Sequence, residues 1–177
     1  LGDVVAAGAV SPGNSPGIIN IAGNLTLSGA DTDTIDDNYS AGGSDTVGKL
    51  KIEIGGLTPG PGTPTDNGYD RVNVTGNVNL GGTLELALIN NFMPLAGQTF
   101  DFLTFSGTLS GKFTSASGLF GFGDGSLYFD ITELPDRLRL EVKPVPGGGG
   151  LSIGTVGQSA ADALGQVFSD YFSSSNS

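Results

Sequence analysis

The strongest constraint on this chain is a phrase that it uses twice. IAGNLTLSG, from Ile21, and VTGNVNLGG, from Val74, share one pattern: apolar, small or Thr, Gly, Asn, apolar, polar, Leu, small, Gly. Gly-Asn and Gly-Gly pairs recur at Gly23-Asn24, Gly55-Gly56, Gly76-Asn77 and Gly81-Gly82. Such pairs mark corners, where the backbone needs a positive φ that glycine adopts without steric cost. Corners spaced this closely leave room only for short strands between them.

The segments between corners alternate with a period of two. Strands are expected in Ile18 to Leu27, Lys49 to Ile54, Tyr69 to Ile89, Thr99 to Phe105 and Leu127 to Val142. In KLKIEI, Leu50, Ile52 and Ile54 fall on one face and Lys49, Lys51 and Glu53 on the other. In GGTLELALI, Leu84, Leu86 and Leu88 form the inner face while Glu85 points out. Leu134-Pro135-Asp136 reads as the turn of a hairpin running from Ile131 to Val142.

These features predict an all-β fold, a parallel β-helix or β-solenoid-like module with Gly-rich corners. In such a fold each coil pairs with the next at about 4.8 Å, and the apolar faces stack into one core. A coil of roughly twenty residues gives about six or seven coils. A jelly roll or β-sandwich with many glycine turns is the alternative. The module spans residues 1–143, a Pro/Gly linker (PVPGGGG) spans 144–150, and a C-terminal association segment spans 151–177. In that segment Val156, Leu164, Val167, Phe168, Tyr171 and Phe172 are the candidate self-association residues. Most of them recur at helical spacing, so the tail is expected to be helical.

Five phrases together resemble the passenger-associated β-helix repeats of bacterial autotransporters and related exported surface proteins. They are SPGNSPG at Ser11, GNLTLSG at Gly23, EIGG at Glu53, YDRVNVTG at Tyr69, and LGGTLEL followed by FMPLAGQTFDFLTFSG. The resemblance covers about residues 11 to 113. It implies export, a parallel β-helix and an adhesive or scaffolding role, with no catalytic residues to carry over. No membrane-barrel translocator and no proline-glutamate sorting motif appear in the sequence.

Composition narrows the chemistry. The 177 residues contain no Cys and no His, which removes disulfides, thiolate metal sites and imidazole bases. Eighteen acids against seven bases give a net charge of −11, which disfavours nucleic acid and anionic membranes as partners. No stretch approaches eighteen uninterrupted apolar residues, so no membrane span is expected. The chain opens on Leu1 without a basic segment and apolar run, which we read as a bacterial signal peptide already removed from a secreted or cell-surface protein.

The candidate metal site is the loop DTDTIDDNYSAGGSD. There Asp31, Asp33, Asp36, Asp37 and Asp45 offer the hard oxygens that Ca²⁺ prefers, against the alternative of a solvated acidic loop. Asp66, Asn67 and Asp70 form a second, weaker candidate. A polysaccharide-active β-helix enzyme is a further reading, but the sequence has no Trp and only four Tyr to stack sugars, so no enzyme is expected. Asn24, Asn38 and Asn73 sit in Asn-X-Ser/Thr sequons, which a chain rich in these residues produces by chance.

The leading expectation is an extracellular structural protein. It would be a self-assembling subunit of a surface filament, sheath or array that associates through its tail and the solenoid ends. The alternative is a monomeric surface adhesin that binds a cell-surface or matrix polysaccharide or another surface. If the acidic loop holds Ca²⁺, the parent chain will melt higher with Ca²⁺ than with EDTA, and Asp33→Asn with Asp36→Asn and Asp37→Asn will abolish the difference. Equal melting of the parent in both buffers refutes the site.

Overall fold

The computed structural model describes residues 1–13, 16–28, 47–64 and 66–146, and among them the fold is all-β without a helix. The strands are β1 (Val4–Ala6), β2 (Ala9–Val10), β3 (Ile18–Ile21), β4 (Leu25–Leu27), β5 (Lys49–Ile54), β6 (Arg71–Val74) and β7 (Val78–Leu80). There follow β8 (Thr83–Leu88), β9 (Thr99–Phe105), β10 (Leu109–Gly111), β11 (Ser115–Ser117), β12 (Phe120–Phe122), β13 (Leu127–Leu134) and β14 (Arg137–Pro144). They form three sheets, ordered β1-β4-β7-β10, β11-β8-β5-β2 and β12-β13-β14-β9-β6-β3. No helix of the described residues is long and apolar enough to cross a membrane.

From β3 onward the chain makes three passes, each placing one strand in the third, first and second sheets in turn. Pairing between passes is parallel. After β11 the chain changes mode. β13 and β14 form a hairpin with Leu134 opposite Arg137 across the expected Pro135-Asp136 turn, and β14 then joins β9 antiparallel.

The fold therefore corrects the sequence expectation of a parallel β-helix or β-solenoid. The first two sheets are parallel, but the third is mixed and curls into a half-barrel. The spacing is also irregular: Asn24 and Asn77 are 53 residues apart, whereas Asn77 and Thr108 are 31 apart. Among the described residues no coil of twenty residues repeats, and the complete passes number three rather than six or seven. The physical cause is the pair of eight-residue strands β13 and β14, whose tight hairpin enforces antiparallel pairing. The parallel ladders equally exclude the jelly-roll or sandwich alternative, since such folds are built from antiparallel sheets. The helical tail expected over 151–177 lies outside the described residues.

The core is assembled from like residues in register. Leu50, Ile52 and Ile54 of β5 are fully buried, and Leu50 and Ile52 stand opposite Leu84 and Leu86 of β8. In the third sheet Ile21, Val74 and Phe105 align across β3, β6 and β9. Burying one such side chain stabilises by roughly 1.5–3 kcal/mol. Where the half-barrel closes, Phe100 is fully buried and meets Tyr69 (5.3 Å), Phe129 (5.9 Å) and Phe92 (6.3 Å) edge to face.

The repeated Gly-Asn phrase becomes a column of hydrogen bonds at the corner between the third and first sheets. Asp3 Oδ1 accepts from the Asn24 N–H (2.7 Å), Asn24 Oδ1 from the Asn77 N–H (2.8 Å), and Asn77 Oδ1 from the Thr108 N–H (2.9 Å). Gly23, Gly76 and Gly107, before the last three members, let the passes approach this closely. A methyl at Gly76 would lie 2.5 Å from Asn24 Oδ1 and 2.6 Å from the Gly23 carbonyl oxygen, well inside van der Waals contact. On the outer face of the third sheet, Asn73 likewise donates to Asn20 Oδ1 (2.9 Å) and accepts from the Thr104 hydroxyl (2.8 Å). Two of the three sequon asparagines, Asn24 and Asn73, thus join adjacent passes.

Gly76→Ala is expected to destabilise the fold by about 2–4 kcal/mol, because the clash is with a backbone that cannot move without shifting a sheet. Gly8→Ala, at a glycine with nothing within 4 Å of the added carbon, should change stability by no more than about 0.5 kcal/mol. Urea titration of both variants measures the contrast.

Candidate functional site

The two sites expected from sequence fall largely outside the described residues. Asp31, Asp33, Asp36, Asp37 and Asp45 lie within residues 29–46, and Val156, Leu164, Val167, Phe168, Tyr171 and Phe172 lie within 147–177. Their attachment points are defined. Ser28 and Gly48, which flank the acidic segment, are hydrogen-bonded to each other (2.9 Å) at the corner between β4 and β5. The C-terminal segment departs beside Ser126, whose carbonyl accepts the Val145 N–H (2.8 Å). Among the described residues no cluster of three or more Asp or Glu is arranged to hold a metal ion.

The second candidate has another role. Asp66 Oδ1 accepts the N–H groups of Leu57 (2.8 Å) and Gly68 (3.0 Å), while Oδ2 accepts the N–H (2.9 Å) and hydroxyl (2.6 Å) of Thr58. Four donors, led by the Thr58 hydroxyl, hold its carboxyl below the usual range. Asp66 is a staple for the loop between β5 and β6, with its oxygens occupied. Asp70 is fully buried, and it joins two distant segments by accepting from Gly17 N–H (2.7 Å) and Glu53 N–H (2.9 Å). Burial pushes its carboxyl up, against the opposing pull of those two bonds. Neither the turn chemistry around Asp66 nor the burial of Asp70 is visible in residue type alone.

The charged residues of the strands pair across neighbours. Asp101 is gripped by Arg139 (2.6 Å) and Arg137 (2.9 Å), Glu85 by Lys49 (2.7 Å), and Asp130 by Lys143. The Arg139 contact is the main reason that the Asp101 carboxyl is held low. These pairs neutralise much of the small basic complement locally.

Among the described residues, what is left open is the N-terminal end, where β1, β2 and β3 are the edge strands of the three sheets. In β1, Val4 donates to the Asn24 carbonyl and the Ala6 carbonyl accepts from Ser28. The alternation of a parallel ladder therefore turns the N–H and C=O of Val5 away from β4, toward the open side. By the same alternation Gly17 and Ile21 face β6 and Ile18 faces outward. The side chains of Leu1, Val5 and Ile18 are 76%, 75% and 43% exposed at this end. The Gly-Asn column also ends here, on Asp3.

The opposite end is different. There Thr108 turns its hydroxyl back onto Asn77 Oδ1 (3.0 Å), which closes the column, and β14 covers the edge of β9. Its remaining parallel edges, β10 (LSG) and β11 (SAS), are short and mostly polar. Sequence reading located ends but not this asymmetry. A search for Gly followed by Asn, Asp or Thr and then an apolar residue finds all four members of the column.

No protein-family model matches the chain, and no curated protein is detectably similar to it.

Asp70 gives a pH signature. Because its folded carboxyl titrates above the unfolded value of 3.8, the stability it contributes is complete below that value and declines as pH rises through the folded pKa. Asp70→Asn leaves one of two buried N–H groups without an acceptor, at a cost of about 1–3 kcal/mol. The deficit of this variant relative to the parent should be largest below pH 3.8 and narrow as pH rises toward neutrality. Denaturant titrations from pH 3 to 7 measure it.

Proposed function

We propose that this chain is a non-catalytic structural module, displayed outside a bacterial cell, that associates with copies of itself. The observation that carries the reading is the N-terminal end, where three edge strands lie together with outward backbone groups and exposed apolar side chains. Unpaired edges template further strands unless they are blunted by charge, proline or a covering element. Among the described residues, Leu1 lies against this end, its amino group 3.4 Å from the Asn20 carbonyl and its carbonyl accepting from the Ala22 N–H (2.6 Å).

Bacterial export rests on the resemblance of the quoted phrases to autotransporter passenger repeats. The opposite end, where β14 covers β9 and the remaining parallel edges are short and mostly polar, favours contact through N-terminal ends, with the segment 151–177 as a second contact that extends a pair into a filament, sheath or array. The net charge of −11 opposes association at low ionic strength, so salt should promote it.

Val5→Pro removes the outward N–H while leaving the β1–β4 hydrogen bonds in place, since proline is tolerated at edge strands. In sedimentation velocity the parent is expected to shift to higher mass with concentration and salt. Val5→Pro should weaken the first association by about tenfold or more, and truncation after Val145 should leave dimers but no larger species. A parent that stays monomeric up to millimolar concentration refutes the reading.

A further inference from the structure

We propose that the cleft between the ends of β5 and β8 binds a neutral saccharide. This site is separate from the N-terminal edge and does not depend on self-association. It is an open cleft of about 410 Å³, within the span of roughly 300–1,000 Å³ usual for small-ligand sites. Its floor is the backbone of Gly55 and Gly56. A side chain at Gly55 would meet Ile89 Cγ1 at 3.0 Å, Asn90 Nδ2 at 3.2 Å and Asn67 Cβ at 3.3 Å, so glycine keeps the space between those residues clear.

The polar wall consists of carboxamides. Asn67, Asn90 and Asn91 are exposed at the rim, and among the described residues none of these side chains has a hydrogen-bond partner. Asn90 and Asn91 both adopt the left-handed conformation, with φ of 54° and 55°, and the Phe92 N–H closes the turn onto the Ile89 carbonyl (3.0 Å). This turn fixes the backbone from which two adjacent amides project. The apolar wall is Phe92, whose ring is set edge-on against buried Phe100, with Leu57 and Met93 about half exposed beside it.

The chemistry selects the ligand class. Among the described residues no Lys or Arg lines the cleft, so an anionic ligand meets no counter-charge from them. Among the described lining residues the one carboxylate, Asp66, has its oxygens filled by Leu57, Thr58 and Gly68, so a cation finds no free ligand on it. What is offered is uncharged groups that both donate and accept, beside an aromatic and apolar surface. Vicinal hydroxyls and the CH face of a neutral sugar match that pattern.

The test is titration of the full-length chain with chitotetraose, cellotetraose and tetragalacturonate, by calorimetry and saturation-transfer NMR. At least one neutral oligomer should bind at one site per chain and tetragalacturonate should not. Asn90→Gly with Asn91→Gly keeps the left-handed turn and removes both amides, so melting should change little while affinity falls by about tenfold or more. Asn67→Ala, at an exposed position, provides an independent loss should the double variant fail to fold. The proposal is overturned if neither neutral oligomer binds, if tetragalacturonate binds as well, or if the folded variants bind like the parent.

Discussion

The fold depends on one contact made three times: a side-chain oxygen at the corner of one pass accepts the backbone N–H at the corner of the next. Asp3, Asn24, Asn77 and Thr108 form this column, and Gly23, Gly76 and Gly107 bring the passes into range. A corner backbone belongs to no sheet, so its N–H would otherwise go unpaired where the chain turns from one sheet to the next. The carboxamide satisfies that donor and sets the register of the strands on either side. Once the register is fixed, inward residues of successive passes stand opposite one another and the core follows.

The core then closes in two ways. Between passes it closes by stacking, with Leu50 over Leu84 and Ile52 over Leu86. At the far end it closes by a change of pairing, because the β13–β14 hairpin adds antiparallel strands to β9 and wraps the third sheet around Phe100 and Phe129. Asp101, held by Arg137 and Arg139 of β14, ties the hairpin to β9 on the outer face. Among the described residues the hairpin covers the third sheet at one end and nothing comparable covers the other, and this difference gives the molecule a direction in which to associate.

Much of this was legible in the residues. The alternation in KLKIEI and TLELAL placed the buried faces, and Leu134-Pro135-Asp136 located the hairpin turn. The architecture was not, because the passes differ in length: residues 29–47 and the loop between β5 and β6 lengthen one pass and not the next. A fixed period cannot be read from offsets of 53 and 31. Two of the four column members were hidden because Asp3 and Thr108 stand where the others have Asn, although each supplies a side-chain oxygen near the same place. Asp66 has the composition of a metal ligand, yet the loop donors around it use every oxygen, which only the folded backbone reveals. β1 and β2 are too short for periodicity to detect, and with β3 they form the open end.

The central claim is that this open end is where one molecule meets another. Hydrogen exchange of the Val5 and Ile18 amides, followed by NMR across a hundredfold range of protein concentration, tests it most directly. These amides point to the open side and should exchange quickly in dilute protein. The account predicts that their protection rises with concentration, while amides of the central strands, such as Val72 and Leu84, remain unchanged. Exchange at Val5 and Ile18 that is independent of concentration, in samples that sedimentation shows to be associated, would place the contact elsewhere and contradict the account.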